Sequence, residues 1–207
     1  MSEIATVLVW VDLETTGLET TGTILESAVV LTDLALNTLD VYETIVPQNV
    51  PDALGLMDAY CKQMHTDNGL INELIQASST DPNYLESIVT IEQEILNRLE
   101  RARAQFDGGV IFVIAGSTVG FDKGWIKAHM PRLFKALHYR QLDVSTYKVG
   151  FPEIFGAKTS EAHRAMPDIR VSIEQHRKMR EIVSVSLSQT VGFKPFVEPT
   201  FDEDDCC

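Results

Sequence analysis

Asp12 and Glu14 stand two residues apart at the end of an apolar, β-branched run that begins at Ile4, and Thr15-Thr16-Gly17-Leu18 follows as a turn. The side-chain period of a strand is two, so both carboxylates leave the same face. Neighbouring acids at a strand end repel each other and lose hydration. A hard divalent cation with oxygen ligands is the natural compensation. A plainer reading, an Asp capping a turn beside a solvated Glu, stays open on this stretch alone. Asp122 follows a second apolar run and opens a helix, a junction where α/β proteins place ligand-binding groups. Near the C-terminus, Pro167 suits the first position of another helix. Asp168 then falls in its first turn, at the positive end of the macrodipole. His163 lies on the incoming loop and is free to aim at the same place.

Four placed acids and a histidine need a scaffold. Val7, Val9 and Val11 alternate with Leu8 and Trp10, all apolar, which predicts a central strand covered on both faces. Residues 24–34 and 39–46 read as two more strands joined by turn chemistry at Thr32-Asp33 and Asn37, hence an antiparallel meander. Glu26 falls in the first of these, either near the acid pair or as an edge-facing charge. Residues 52–64 and 69–77 predict short helices, broken around His65-Thr66-Asp67-Asn68-Gly69. A longer helix is expected behind Asp81-Pro82, with Leu85, Ile88, Ile95 and Leu99 as its buried stripe and Arg98, Glu100, Arg101 and Arg103 on a wet face. Residues 110–115 form a buried strand, and a helix through Trp125, Ile126 and Met130 ends at Pro131. Residues 142–146 give a fifth strand, and a last helix runs from Pro167 to about Ile182. Residues 1–183 are expected to form one α/β domain, and 184–207 an acidic, disordered tail.

Composition narrows the function classes. A formal charge of −13 argues against a protein that grips duplex nucleic acid by neutralising many phosphates. A nucleic-acid substrate would have to be short, or held by metal ions and a few placed groups. No apolar stretch is long enough to span a membrane. Cys61, Cys206 and Cys207 suggest neither a disulfide framework nor a metal site, and Met1-Ser2-Glu3 lacks the features of a signal peptide. A reducing cytoplasm is therefore expected.

In that order, Asp12-x-Glu14, the helix-opening Asp122 and His163-x4-Asp168 resemble the DEDDh exonuclease superfamily. The resemblance covers roughly residues 5–183 and extends to a branch that degrades very short RNA. It is carried by Asp12-Leu13-Glu14-Thr15-Thr16-Gly17-Leu18, by Ala53-Leu54-Gly55-Leu56-Met57-Asp58 with His65-Thr66 and Gly69-Leu70, and above all by His138-Tyr139-Arg140-Gln141-Leu142-Asp143-Val144-Ser145-Thr146. It implies a ribonuclease H-like fold, a mixed five-stranded sheet flanked by helices. It also implies 3′→5′ release of nucleoside 5′-monophosphates from short single-stranded RNA, often by a homodimer. Carried over by position, Asp12, Glu14, Asp122 and Asp168 would hold two Mg2+ or Mn2+ ions, with His163 as general base. Leu18 would wedge against terminal bases and Tyr60 would stack on one. Thr118, Arg140, Ser145 and Thr146 would cap a 5′-phosphate, and Tyr139 would reach a partner subunit's site.

Phe121, Ser117, Pro167 and residues 147–162 depart from the family pattern without removing any of the five central residues. Two other readings remain at this point. One is a DEDDh exonuclease acting on DNA ends; the other is a non-catalytic nucleic-acid-binding or regulatory module.

Overall fold

Strand β1 (Ala5–Thr15) lies at the middle of the sheet, as its two apolar rows require. β2 (Ile24–Thr32) pairs with it antiparallel, and β3 (Thr38–Ile45) pairs antiparallel with β2. On the other side β4 (Val110–Gly116) runs parallel to β1, and β5 (Gln141–Asp143) runs parallel to β4. The order β3-β2-β1-β4-β5 makes the mixed five-stranded α/β sheet expected of a ribonuclease H-like chain. The computed structural model describes residues 4–80, 82–156 and 163–188.

The helices are α1 (Val50–Leu56), α2 (Ala59–Asp67), α3 (Leu70–Ala77), α4 (Tyr84–Arg103), α5 (Gly120–His129), α6 (Pro131–Ala136), α7 (Ser145–Gly150), α8 (Pro152–Phe155) and α9 (Ala165–Ser188). Val7, Val9, Val11 and Leu13 pack on one sheet face with Ile88, Ile91, Ile95 and Leu99 of α4 and Trp125 and Ile126 of α5. Leu8 and Trp10 pack on the other with Ala165, Met166 and Ile169 of α9. The buried Trp10 indole N–H is satisfied by Thr32 Oγ1 at 3.0 Å. α1, α2 and α3 close a separate apolar cluster over Leu25.

Several boundaries differ from the sequence expectation, each for a local reason. Residues 52–64 break into two helices because the Asp58 side chain caps a new one, accepting from the Cys61 N–H at 2.7 Å. α4 starts at Tyr84, capped by Asn83 rather than by Asp81, which lies outside the described residues. Its stripe is Ile88, Ile91, Ile95, Leu99 and Ala102; Leu85 is exposed. Glu92 is buried instead, because it accepts from the Arg132 and Leu133 N–H groups and so caps α6. Pro131 therefore opens a helix as well as ending one. Arg98 is not simply solvated: it lies 4.5 Å over the Tyr42 ring and pairs with Asp40.

The fifth strand stops at Asp143, whose carboxylate accepts from the Ser145 N–H at 2.9 Å and starts α7. α9 begins at Ala165, two residues before Pro167, because Glu26 Oε2 accepts the Ala165 N–H. It continues to Ser188, beyond Ile182 and into the segment expected as a tail; residues 189–207 lie outside the described residues. Among the described residues no helix is long and apolar enough to cross a membrane.

Candidate active site

The alternation of β1 decides where its acids go. Asp12 and Glu14 continue the Leu8/Trp10 row, so they emerge on the face that α9 covers. Asp168 lies in the first turn of α9. One carboxylate oxygen from each of Asp12, Glu14 and Asp168 lies within 4.8 Å of the others. Such crowding strains all three charges. Burial, then the charges of Asp122, Glu14, Asp168 and Glu26, hold Asp12 well above the usual carboxylate range. Glu14 is pushed up to about 8, by burial first and then by Glu26, Asp168 and Asp122. Three hard oxygen donors on a central strand and a helix N-terminus are the ligand set that a divalent cation takes.

Asp122 stands apart from this trio. It is almost completely buried on α5, and its Oδ1 accepts the Leu13 N–H at 3.0 Å. That bond ties it to the backbone between Asp12 and Glu14, and among the charges acting on Asp12 it is the strongest. The sequence placed the four acids on an equal footing, whereas the geometry gathers three and anchors the fourth to β1.

His163 is exposed just before α9, in the left-handed region at φ +42°. Its carbonyl accepts from Asn68 Nδ2 at 2.6 Å. With Tyr60, Met64, Asn68 and Arg164 it lines a cavity of about 470 Å³. Tyr60 and His163 therefore meet at one cavity although the chain separates them widely.

Sequence reasoning left two features without a role. His65 is fully buried; its Nε2 donates to the Thr15 carbonyl at 3.0 Å, and its Nδ1 lies 3.9 Å from Glu14 Oε2. A carbonyl only accepts, so Nε2 carries the proton. Burial favours the neutral ring, which turns its Nδ1 lone pair toward Glu14. Glu26, directly opposite Glu14 in the β1–β2 register, is fully buried and held by Arg164. Its position in a central strand was the available signal, since an edge-facing charge would not sit in the ILESAVV run.

Leu18, expected to meet the terminal bases, is 84% exposed at the β1–β2 turn. The turn is braced by a directed chain of hydrogen bonds. The Ile24 N–H donates to Tyr84 Oη, Tyr84 O–H donates to His129 Nδ1, and His129 Nε2 donates to the Thr20 carbonyl. Thr118, another non-glycine at positive φ (+56°), donates its N–H to Asp143 Oδ1 at 2.9 Å. Ser145 Oγ donates to the same oxygen at 2.6 Å, and Thr146 Oγ1 donates to the Asp143 carbonyl at 2.7 Å. Both hydroxyl hydrogens are thus already committed inside the protein. The expected four-membered polar cap has its cationic strength in Arg140, which lies 5.2 Å from the ring of the half-exposed Tyr139.

Residues 9–175 match the RNase_T family, described as exonuclease. The mitochondrial oligoribonuclease of Mus musculus is 35% identical over 175 residues, covering 81% of this chain and 69% of that protein. The oligoribonuclease of Corynebacterium diphtheriae is 36% identical over 81% of this chain and 79% of its own length. That of Aliivibrio fischeri is 34% identical over 84% of this chain and 93% of its own. Among solved structures, E. coli exonuclease I in complex with a dT13 oligonucleotide superposes with a TM-score of 0.55 at 15% identity, over 89% of this chain and 44% of that one. This chain thus spans less than half of that enzyme, and the likeness is one of fold.

Proposed function

The chain belongs to the exonuclease family that includes the oligoribonucleases, and from that membership we propose a metal-dependent 3′→5′ exoribonuclease that degrades short single-stranded RNA to nucleoside 5′-monophosphates. The observation that carries this reading is the convergence of Asp12, Glu14 and Asp168 on one point, with His163 and Tyr60 on one neighbouring cavity. A purely binding module has no use for three crowded carboxylates.

Asp12, Glu14, Asp122 and Asp168 would together hold two divalent ions, Mg2+ or Mn2+. Such a pair supplies a water of lowered pKa and stabilises charge on the attacking and leaving oxygens. His163 would accept a proton from the attacking water; a general base typically contributes about 10²–10⁴-fold. Leu18 and Tyr60 meet the terminal bases, and a stacked ring contributes roughly 1–3 kcal/mol per base. Arg140 receives the 5′-phosphate of a very short substrate at a cap that Thr118, Ser145 and Thr146 shape, and blocks continuation of a longer strand. The acting form is a cytoplasmic homodimer in which Tyr139 reaches the partner subunit's site.

Hydrolysis of 5′-phosphorylated RNA two, five and twenty nucleotides long, with Mn2+ and with chelator, tests the reading. Chelator-sensitive turnover, fastest on the two- and five-mers and slower on matched DNA, is expected. Comparable turnover of the twenty-mer would remove the phosphate cap, and a strong DNA preference would overturn the RNA assignment. Absence of turnover with Mn2+ would leave the binding module.

A further inference from the structure

A non-glycine residue at positive φ persists only where its surroundings over-determine it, because the conformation costs about 1–3 kcal/mol. At His163 the restraints lie on both sides of one peptide. Asn68 Nδ2 holds the His163 carbonyl, and the next side chain, Arg164, is gripped by two carboxylates from different elements. Arg164 Nε and Nη2 donate to Glu26 Oε2 and Oε1 at 3.0 and 2.8 Å. Its Nη1 and Nη2 donate to Glu73 Oε1 and Oε2, both at 2.8 Å. Glu26 belongs to β2 at the sheet centre and Glu73 to α3, so one planar guanidinium is fixed in two directions.

Glu26 is the less expected half of this arrangement. It is fully buried and stands opposite Glu14, so it adds negative charge where three acids already crowd together. Burial of a lone carboxylate there would be costly. Here Oε2 also accepts the Ala165 N–H at 3.1 Å, so Glu26 is satisfied by the two residues that follow His163. The Arg164 side chain and the Ala165 N–H both belong to the segment that leads from His163 into α9. The buried charge is used to locate that segment.

We propose that Glu26, Arg164, Glu73 and Asn68 are positioning residues: together they clamp the peptide after His163 and set the direction in which its imidazole enters the cavity. Without them the His163 backbone relaxes toward negative φ, and the ring swings away while the acid cluster keeps its shape. This rests on the reading of His163 as the base. A misplacement of about 1 Å in a reacting group can cost on the order of 10²-fold in rate.

Arg164→Lys tests the clamp, since it retains the charge that neutralises Glu26 and loses the two-sided fork. It is measured on a 5′-phosphorylated dinucleotide at saturating Mn2+, alone and combined with His163→Ala. The expected result is a fall in kcat of about tenfold, with KM and Mn2+ affinity unchanged and no further loss in the His163→Ala background. An equal loss in both backgrounds, or a loss confined to Mn2+ affinity, would overturn the clamp. Full activity of His163→Ala would instead refute the base, and the clamp with it. Should Arg164→Lys fail to fold, Glu73→Gln carries the same cycle, because Glu73 is half-exposed and its removal leaves Glu26 paired.

Discussion

Glu14 and Glu26 oppose each other directly across the β1–β2 pair, yet only Glu26 has a guanidinium. One carboxylate of this pair is committed to structure, and the other is left with an unmet need for positive charge. Arg164 reaches Glu14 only as a distant, partial offset, so Glu14 stays raised to about 8. The sheet therefore separates two acids of the same chemical type into an anchor and a proposed metal ligand.

The unmet need gives a stability prediction. In chelator the Asp12, Glu14 and Asp168 cluster opposes folding, so Asp12→Asn should raise the melting temperature by about 2–4 °C, equivalent to about 1 kcal/mol. Wild type should gain about 2.7 kcal/mol at a Mn2+ concentration a hundredfold above Kd. Asp12→Asn should lose that gain together with hydrolysis. Thermal melts with and without Mn2+ check both; a mutant that still responds to Mn2+ would take Asp12 out of the ligand set.

The Tyr84–His129 relay braces the turn that carries Leu18 and stays clear of the acids. Tyr84→Phe leaves the Ile24 N–H and His129 Nδ1 without partners, at an expected cost of about 1–3 kcal/mol. KM for a dinucleotide should rise several-fold while kcat holds, since the loosened turn weakens base contact. Steady-state kinetics decide it: a fall in kcat at constant KM would mean that the relay serves the chemistry instead.

Strand alternation carried most of the legible fold. The two apolar rows of β1 predicted a central strand, and the same parity put Asp12 and Glu14 on one face, where the structure has them. Helix boundaries were less legible because long-range partners set them. α6 starts where Glu92 of α4 caps it, and α9 starts where Glu26 of β2 receives the Ala165 N–H. The break within 52–64 was readable in principle, since Asp58 is a good N-cap, but the helical pattern that begins at Pro51 runs through it. At the site, His163 and Asp168 could be placed from a helix start. The pairing of Arg164 with both Glu26 and Glu73 could not, because no local pattern joins residues so far apart in the chain.

The committed hydroxyls at Asp143 rank the residues proposed to meet a phosphate. Ser145 already donates its hydrogen to Asp143, so it has only lone pairs to offer an anion. Arg140→Ala should therefore remove about 1.5–3 kcal/mol of preference for a 5′-phosphorylated over a 5′-hydroxyl dinucleotide, and Ser145→Ala far less. Competition between the two substrates measures it; equal losses in both variants would restore Ser145 as a direct donor.

His176 on α9 predicts an acid-side limit to stability. Its Nδ1 shares a hydrogen bond of 2.9 Å with Tyr147 Oη, and its ring packs near Trp10. Burial first, then the charge of Arg180, lower it to about 4 from an ordinary 6.5. The unfolded chain therefore binds the proton first as pH falls. The contribution is complete above about 6.5 and is lost progressively down to about 4. A shift of that size corresponds to roughly 3 kcal/mol for a fully shielded ring, and less for one with some solvent contact. Denaturant unfolding of wild type and His176→Phe between pH 4 and 7 should show a shallower pH slope in the variant, since a phenyl ring retains the packing and cannot take up the proton. Identical slopes would place the acid sensitivity in the carboxylates instead.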